Sequence, residues 1–393
     1  MVGIYLDNAA STPVDLRVAD AMHEVLRGDN TFGNPAAGLH RFGELANELV
    51  DAARVQVAQL VNGSPAGIVF TSGATESDNL AVLGVARFRG DMQGCHIVTA
   101  VTEHSAVLNA CRQLEGEGFR VTFLQPDSEG RVTPKSVQQA LCDDTILVSL
   151  MHVNNETGVI QDIAAVGQIC RHNDILFHVD AAQSAGRLPL DVMAQNIDLL
   201  SLSAHKMYGP KGVGVLYLNT ERVNRLEPLM LGGGQERGLR PGTLPTHQIV
   251  GMGLAAELAQ TALATEPAKI AVLRDQLWAA ISDMPGLIRN SAGADTVCGI
   301  LSVSVEDVEG EALLYALRSL AVASGSACNT ASDDASYVLR ALGRADQLAE
   351  STIRFSLGRF TTPAEIATAA AVFRTAVRRL RRYTQGFYGI KNT

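Results

Sequence analysis

From about residue 60 to about residue 220, short apolar runs alternate with longer amphipathic stretches. The runs at Ile68–Thr71, His96–Ala100, 121–124, 146–151, 176–179, Leu199–Ser203 and Gly214–Leu218 read as strands. Between them apolar residues recur at helical spacing over 76–88, 105–117, 133–141 and Ile163–His172. Strands that are apolar on both faces and separated by such helices predict a mostly parallel sheet covered on both sides. From Ile249 the pattern changes to long helical stretches, with Ile300–Val305 the clearest strand. A second, smaller α+β unit is expected there, with a soft boundary between about 255 and 265.

Composition narrows the function classes. The 393 residues are 47% hydrophobic and 19% charged, an ordinary globular balance, and the length suits one large core plus a smaller one. Asp and Glu outnumber Lys and Arg by 41 to 32, so a net charge of −9 argues against direct nucleic-acid binding. Residues 1–7 lack a basic region followed by an apolar stretch, and no apolar run approaches the ~20 residues that span a bilayer. A cytoplasmic protein without membrane association is expected.

The six cysteines form no CxxC pair, so neither a metal site nor a disulfide framework is signalled. Cys111, Cys142 and Cys170 fall within helical patterns and read as small core fillers; Cys95 and Cys298 have no telling neighbours. Arg374, Arg378, Arg379, Arg381 and Arg382 gather on a terminal helix. They read as a solvated basic face rather than a docking surface.

Five segments follow strands and carry reactive side chains. Ser203-Ala204-His205-Lys206 sets a lysine just past a strand, where it could condense with an aldehyde cofactor and then move protons. Alone, such a lysine is ordinarily a surface residue. His178-Val179-Asp180 ends a strand in a carboxylate that could keep a pyridine nitrogen protonated, with Gln183 in reach of a phenolic oxygen. Asp180 reads equally well as a helix N-cap. Thr71-Ser72-Gly73-Ala74-Thr75-Glu76-Ser77 runs through glycine into a helix whose first N–H groups suit a phosphate, although an ordinary strand-to-helix turn looks the same. His104, in Thr102-Glu103-His104, could stack on a ring and relay protons. Asn154-Asn155-Glu156-Thr157-Gly158 is the fifth. Ligands in open α/β sheets bind at the carboxyl ends of strands, so five such segments together are far more specific than any one.

Together these segments resemble the fold-type I pyridoxal-phosphate enzymes, aminotransferase class V-like, with a large domain of mostly parallel sheet flanked by helices and a smaller C-terminal α+β domain. The likeness sharpens with Tyr5-Leu6-Asp7-Asn8-Ala9-Ala10, Gly33-Asn34-Pro35, Glu236-Arg237-Gly238 and Arg354-Phe355-Ser356-Leu357-Gly358-Arg359. From residue 4 to about residue 362 the chain is similar to class I cysteine desulfurases, most of all the housekeeping iron–sulfur-cluster type.

That resemblance implies a large domain over 15–258. It implies a small one over 259–393, joined by 1–14 and carrying a catalytic cysteine loop. It implies that Lys206 holds pyridoxal 5'-phosphate and serves as acid and base, that Asp180 pairs with the ring nitrogen and Gln183 with the phenolic oxygen, and that His104 stacks on the ring. Ala74, Thr75, Ser203 and His205 would hold the phosphate, and Thr243 would reach the phosphate of the other subunit of a homodimer. Asn155 and Arg354 would bind L-cysteine, with Asn34 near its carboxylate.

Cys328 lies in Ala323-Ser324-Gly325-Ser326-Ala327-Cys328-Asn329-Thr330, a run of small residues suited to a mobile loop, and would take the sulfur as a persulfide, leaving alanine. No metal is implied.

Two departures stand out. Asn329-Thr330 replace the usual Thr-Ser after the cysteine, a change close in size. The last residues, Lys391-Asn392-Thr393, lack the tail pattern with which the housekeeping enzymes bind the iron–sulfur scaffold. The sulfur acceptor is therefore expected to be either that scaffold or a tRNA- or DNA-thiolation enzyme. Competing readings are a selenocysteine lyase, an aminotransferase, which would not need Cys328, and a non-catalytic scaffold, which would have no use for Lys206, Asp180 and Cys328 together.

Overall fold

The computed structural model describes residues 3–90, 94–223, 225–324 and 335–389, and Cys328 lies outside them. Thirteen strands are numbered in chain order among these residues. They are β1 Ile4–Tyr5, β2 Ile68–Thr71, β3 His96–Ala100, β4 Arg120–Leu124, β5 Thr145–Met151, β6 Leu176–Asp180, β7 Leu199–Ser203, β8 Gly214–Leu218, β9 Leu287–Arg289, β10 Ile300–Val305, β11 Leu320–Ala321, β12 Ala323–Ser324 and β13 Thr352–Ser356.

Seven strands form the large sheet in the order β2-β8-β7-β6-β5-β3-β4. Only β8 runs against the others. The mostly parallel α/β architecture is thus the one the apolar runs predict. Residues of the central strands alternate between two cores. Val148, Leu150, Phe177, Val179, Leu200 and Leu202 face one side with the helix Arg41–Leu60. Leu147, Leu176 and Leu199 face the other, beneath the helices Ala74–Arg89 and Ser105–Gly116. Burial on both sides is why these strands carry apolar residues on both faces rather than in strict alternation.

Toward the carboxyl ends of β5, β6 and β7 the second face changes character. Ser149, His178, Asp180, Ser201 and Ser203 continue its period-two row, and all are buried. The apolar core therefore grades into a polar floor along one face of three adjacent strands.

A second core forms around the antiparallel sheet β12-β13-β10-β9. β1 pairs in parallel with β11, Asp7 bridges to Ser356, and Leu6 and Ala9 belong to the second core. The first residues of the chain thus pack with its last strands. Met252, Ala256 and Ala259 on Thr246–Ala262 belong to the large core, whereas Ile270, Leu277 and Ile281 on Glu266–Ile281 belong to the small one. On that basis we propose a division into two domains, with the change of core between Ala259 and Ile270.

Cys111 and Cys170 are buried, as core fillers are, but Cys142 is exposed. The helix Pro134–Ala140 ends before it, because Leu141 already has extended backbone angles. On the terminal helix Pro363–Gly389, Arg374 pairs with Asp283 and Arg381 donates to the carbonyls of Pro285 and Glu306. Arg378, Arg379 and Arg382 face solvent. Among the described residues no helix is long and apolar enough to cross a membrane.

Candidate active site

A cavity of about 420 Å³ opens at the carboxyl ends of β2, β5, β6 and β7. Its wall includes Ala74, Thr75, His104, Asn155, Asp180, Gln183, Ser203, His205 and Lys206, nine of the residues singled out from the sequence.

One end is the start of the helix Ala74–Arg89. Its N-cap is Gly73, and among the described residues no side chain caps it. Neighbouring helices are capped by Asp15, His40, His104, Thr133 and Asp162. The uncapped N–H groups and the positive end of the helix dipole give that end an anion seat, with Thr75, Ser203 and His205 around it. Glu76 in the same turn is neutralised locally by Arg240, whose Nε donates to it at 3.0 Å. Lys211 also lines this end. Sequence reasoning did not assign it a role, although it lies in the Gly209-Pro210-Lys211-Gly212 turn only five residues after Lys206.

The floor is the polar row of β6 and β7. Asp180 is buried, and its Oδ1 accepts from the Ala182 N–H at 2.9 Å. Burial pushes its carboxyl up, while the Ala182 N–H, His104 and Lys206 act the other way. His104 caps its own helix: its Nδ1 accepts from the Ala106 N–H at 3.2 Å. That bond assigns the ring proton to Nε2. Burial holds the imidazole below its usual pKa, so it is neutral near pH 7. Desolvation pushes His205 down to about 4.

Lys206 Nζ donates to the carbonyls of Ala9 at 2.5 Å and Ala10 at 2.9 Å. Gln183 Nε2 donates to the same Ala9 carbonyl at 2.8 Å, and its Oε1 accepts from Arg187. The lysine and the glutamine therefore meet at one atom supplied by the N-terminal segment.

Arg354 on β13 is 2% exposed and is held against Asn155, a residue of the cavity wall. It donates to the Asn155 carbonyl at 2.7 Å, and its Nε has no hydrogen-bond partner among the described residues. Asn34 lines a second cavity with Arg54, Glu236 and Arg237, away from Lys206. Thr243 is exposed and off the wall of the Lys206 cavity.

Cys328, the expected persulfide carrier, lies outside the described residues, but both flanks are seated near the site. Ala323 pairs with Arg354 in the sheet register. On the other side Ser336 donates to Glu156 at 2.5 Å, and the Tyr337 hydroxyl donates to the Glu103 carbonyl at 2.7 Å.

The donor set fits pyridoxal phosphate. An amine, a buried carboxylate, a neutral imidazole and an uncapped helix start share one cavity of cofactor size. No group of three or more His, Cys, Asp or Glu side chains among the described residues could hold a metal ion.

Comparison with known proteins agrees with this chemistry. Residues 4–368 match the aminotransferase class-V family. The cysteine desulfurase IscS of Shewanella sediminis is 56% identical over 378 residues, covering 96% of this chain and 93% of that one. A solved NifS-like protein superposes with a TM-score of 0.87 at 34% identity, covering 96% of this chain and 99% of the other. A solved structure of SspA in complex with cysteine gives a TM-score of 0.81 at 38% identity, over 91% and 100% of the two chains. The chain belongs to the pyridoxal-phosphate-dependent aminotransferase class-V family, among its cysteine desulfurases of the housekeeping type.

Proposed function

We propose that the protein removes sulfur from L-cysteine, releases L-alanine and retains the sulfur as a persulfide on Cys328. The observation that carries this reading is the convergence of Lys206, Asp180 and His104 on one cavity with an uncapped helix start. Pyridoxal phosphate, when bound, supplies an electron sink that acidifies the substrate Cα–H and weakens its Cβ–S bond.

The protein's own residues do the rest. Ala74, Thr75, Ser203 and His205 would hold the phosphate. The Asp180 carboxylate would pair with the ring nitrogen, and Gln183 with the phenolic oxygen. His104 would hold the ring and offer its Nε2 proton. Lys206 would anchor the cofactor, and its Nζ would take the proton from the substrate Cα. Asn155 and Arg354 orient the substrate carboxylate. The Cys328 thiolate attacks the substrate sulfur, so an S–S bond forms as the Cβ–S bond breaks. The two electrons gained by the carbon end as a new C–H bond in alanine, and no outside oxidant is needed.

A homodimer is part of the proposal. Phe32, Leu39, Phe42 and Leu231 are exposed, and Phe32 stacks on Phe42 with ring centroids 5.2 Å apart. Residues 34–36 and 235–237 meet in the second cavity nearby. A partner subunit covering this face would bury those side chains and bring Thr243 to its neighbour's phosphate and Asn34 toward a substrate carboxylate. The acceptor is a sulfur-receiving protein, either an iron–sulfur scaffold or a tRNA- or DNA-thiolation enzyme, and the setting is cytoplasmic.

The test is to supply pyridoxal phosphate and L-cysteine and quantify alanine, sulfide and protein-bound persulfide. Equal alanine and sulfane sulfur, with the persulfide on the peptide containing Cys328, supports the reading. Alanine without any protein-bound sulfur defeats it.

A further inference from the structure

Asp78 lies one turn inside the helix Ala74–Arg89, on the wall of the Lys206 cavity, and is 1% exposed. Neither of its carboxyl oxygens meets an N–H donor or a cation among the described residues, and the hydroxyl of Ser201 is the polar group beside them. The one basic group there within ion-pair reach is His178, whose Nε2 is 3.6 Å from Oδ1. That imidazole is neutral, held down to about 3 by burial. Both its nitrogens are engaged, Nε2 with Ser201 Oγ at 2.9 Å and Nδ1 with Ser149 Oγ at 2.8 Å. An ionised carboxylate with one hydroxyl beside it and no cation is not sustained at such depth.

Two other carboxyls act on it. Asp180 belongs to the same cavity wall, and Glu103 is 1% exposed with its Oε2 unpartnered among the described residues. Of the three, Asp180 is the one whose charged form Lys206 and His104 favour, Lys206 as the cation, and it accepts the Ala182 N–H. Burial and the neighbouring Asp180 charge push both Asp78 and Glu103 well above the carboxylate range.

We propose that these three buried carboxyls carry a single negative charge, resting on Asp180, and that Asp78 is a positioning residue kept as the neutral acid. Its O–H would be donated to the hydroxyl of Ser201, the sheet partner of Asp180, and so would extend the row Ser201–His178–Ser149 along the floor of the cavity. Neutral neighbours leave Asp180 as the sole anion opposite the ring nitrogen. The inference rests on the reading of Asp180 given above.

The test is infrared spectroscopy of the full chain, apo and cofactor-loaded, from about pH 6 to about pH 8. The expected result is two protonated-carboxyl C=O bands, one lost in Asp78→Asn and the other in Glu103→Gln, both persisting across that range. A wild-type spectrum with no band lost in Asp78→Asn, or one whose band vanishes below about pH 7, overturns the proposal. Cofactor affinity supplies the second readout. Asp78→Leu, without a polar group, is expected to bind pyridoxal phosphate about tenfold more weakly. Asp78→Asn, uncharged but polar, should restore affinity to within about threefold of the wild type. An Asn variant as weak as the Leu variant overturns the positioning role. If the Leu variant does not fold, the bands and the Asn affinity decide.

Asp180→Asn separates the two readings. Unchanged cofactor absorbance and affinity in that variant would refute the role of Asp180 without touching the carboxyl bands of Asp78 in the apo protein.

Discussion

Asp7 and Arg354, at opposite ends of the chain, form an ion pair of 2.9 Å with side-chain exposures of 22% and 3%. The pair fixes the guanidinium from one side while the Asn155 carbonyl fixes it from another. An arginine held on two sides keeps its remaining N–H groups aimed, the property a carboxylate binder needs.

Replacing this guanidinium by a point charge removes the fork. Arg354→Lys is expected to raise KM for L-cysteine at least about tenfold while lowering kcat less. Steady-state alanine formation over a cysteine titration checks it. An unchanged KM would remove Arg354 from substrate binding.

Lys206→Ala removes both the cofactor anchor and the base. Alanine formation should fall by about a thousandfold or more, with loss of the visible absorbance of the lysine-linked cofactor. Absorbance and alanine assays on the same preparation give both readings.

Cys328→Ser should leave the visible absorbance of the bound cofactor in place and abolish protein-bound persulfide. Alanine formation should drop about a hundredfold or more. Mass spectrometry of the intact protein after cysteine addition reads the missing sulfur directly.

Glu156 is buried and accepts from Ser336, and burial pushes its carboxyl up to about 7. Its folded pKa therefore lies above the unfolded value. The folded state binds the proton more tightly, and that contribution to stability is fully present below about pH 4.5 and is lost as pH rises to about 7. Glu156→Gln cannot ionise. Its stability relative to the wild type should improve as pH rises from about 5 to about 7 and then level off, by roughly 2–4 kcal/mol in total. Urea unfolding of both proteins across that range tests it, and parallel stability curves would contradict it.

Much of the fold was legible because central strands buried on both faces leave mostly apolar runs, as Leu147 to Leu150 and Leu199 to Leu202 show. The small sheet was harder. β13 is fully buried, yet its central Arg354 breaks the apolar signal, and β1, β11 and β12 have only two residues each. Cys142 was misread because apolar spacing carried on past the end of its helix.

For the site, side chains at strand ends were readable because each segment had its own chemical signature. Asp78 was not, since an acid in a helix ordinarily faces water, and only the packing of Ala74–Arg89 on the sheet turns it inward. Arg354 against Asn155, and Asn34 in a separate cavity, are matters of three-dimensional placement with no counterpart in local pattern.

The Ala9 carbonyl that receives both Lys206 and Gln183 belongs to a stretch seated by β13. A ribosome must therefore finish residue 356 before the lysine acquires its native acceptor, although every strand of the large sheet has emerged long before. Nascent chains stalled short of that point would hold a folded sheet with an unfinished pocket, so the lysine's surroundings are completed by the emergence of β13 rather than by the folding of the sheet that bears the lysine.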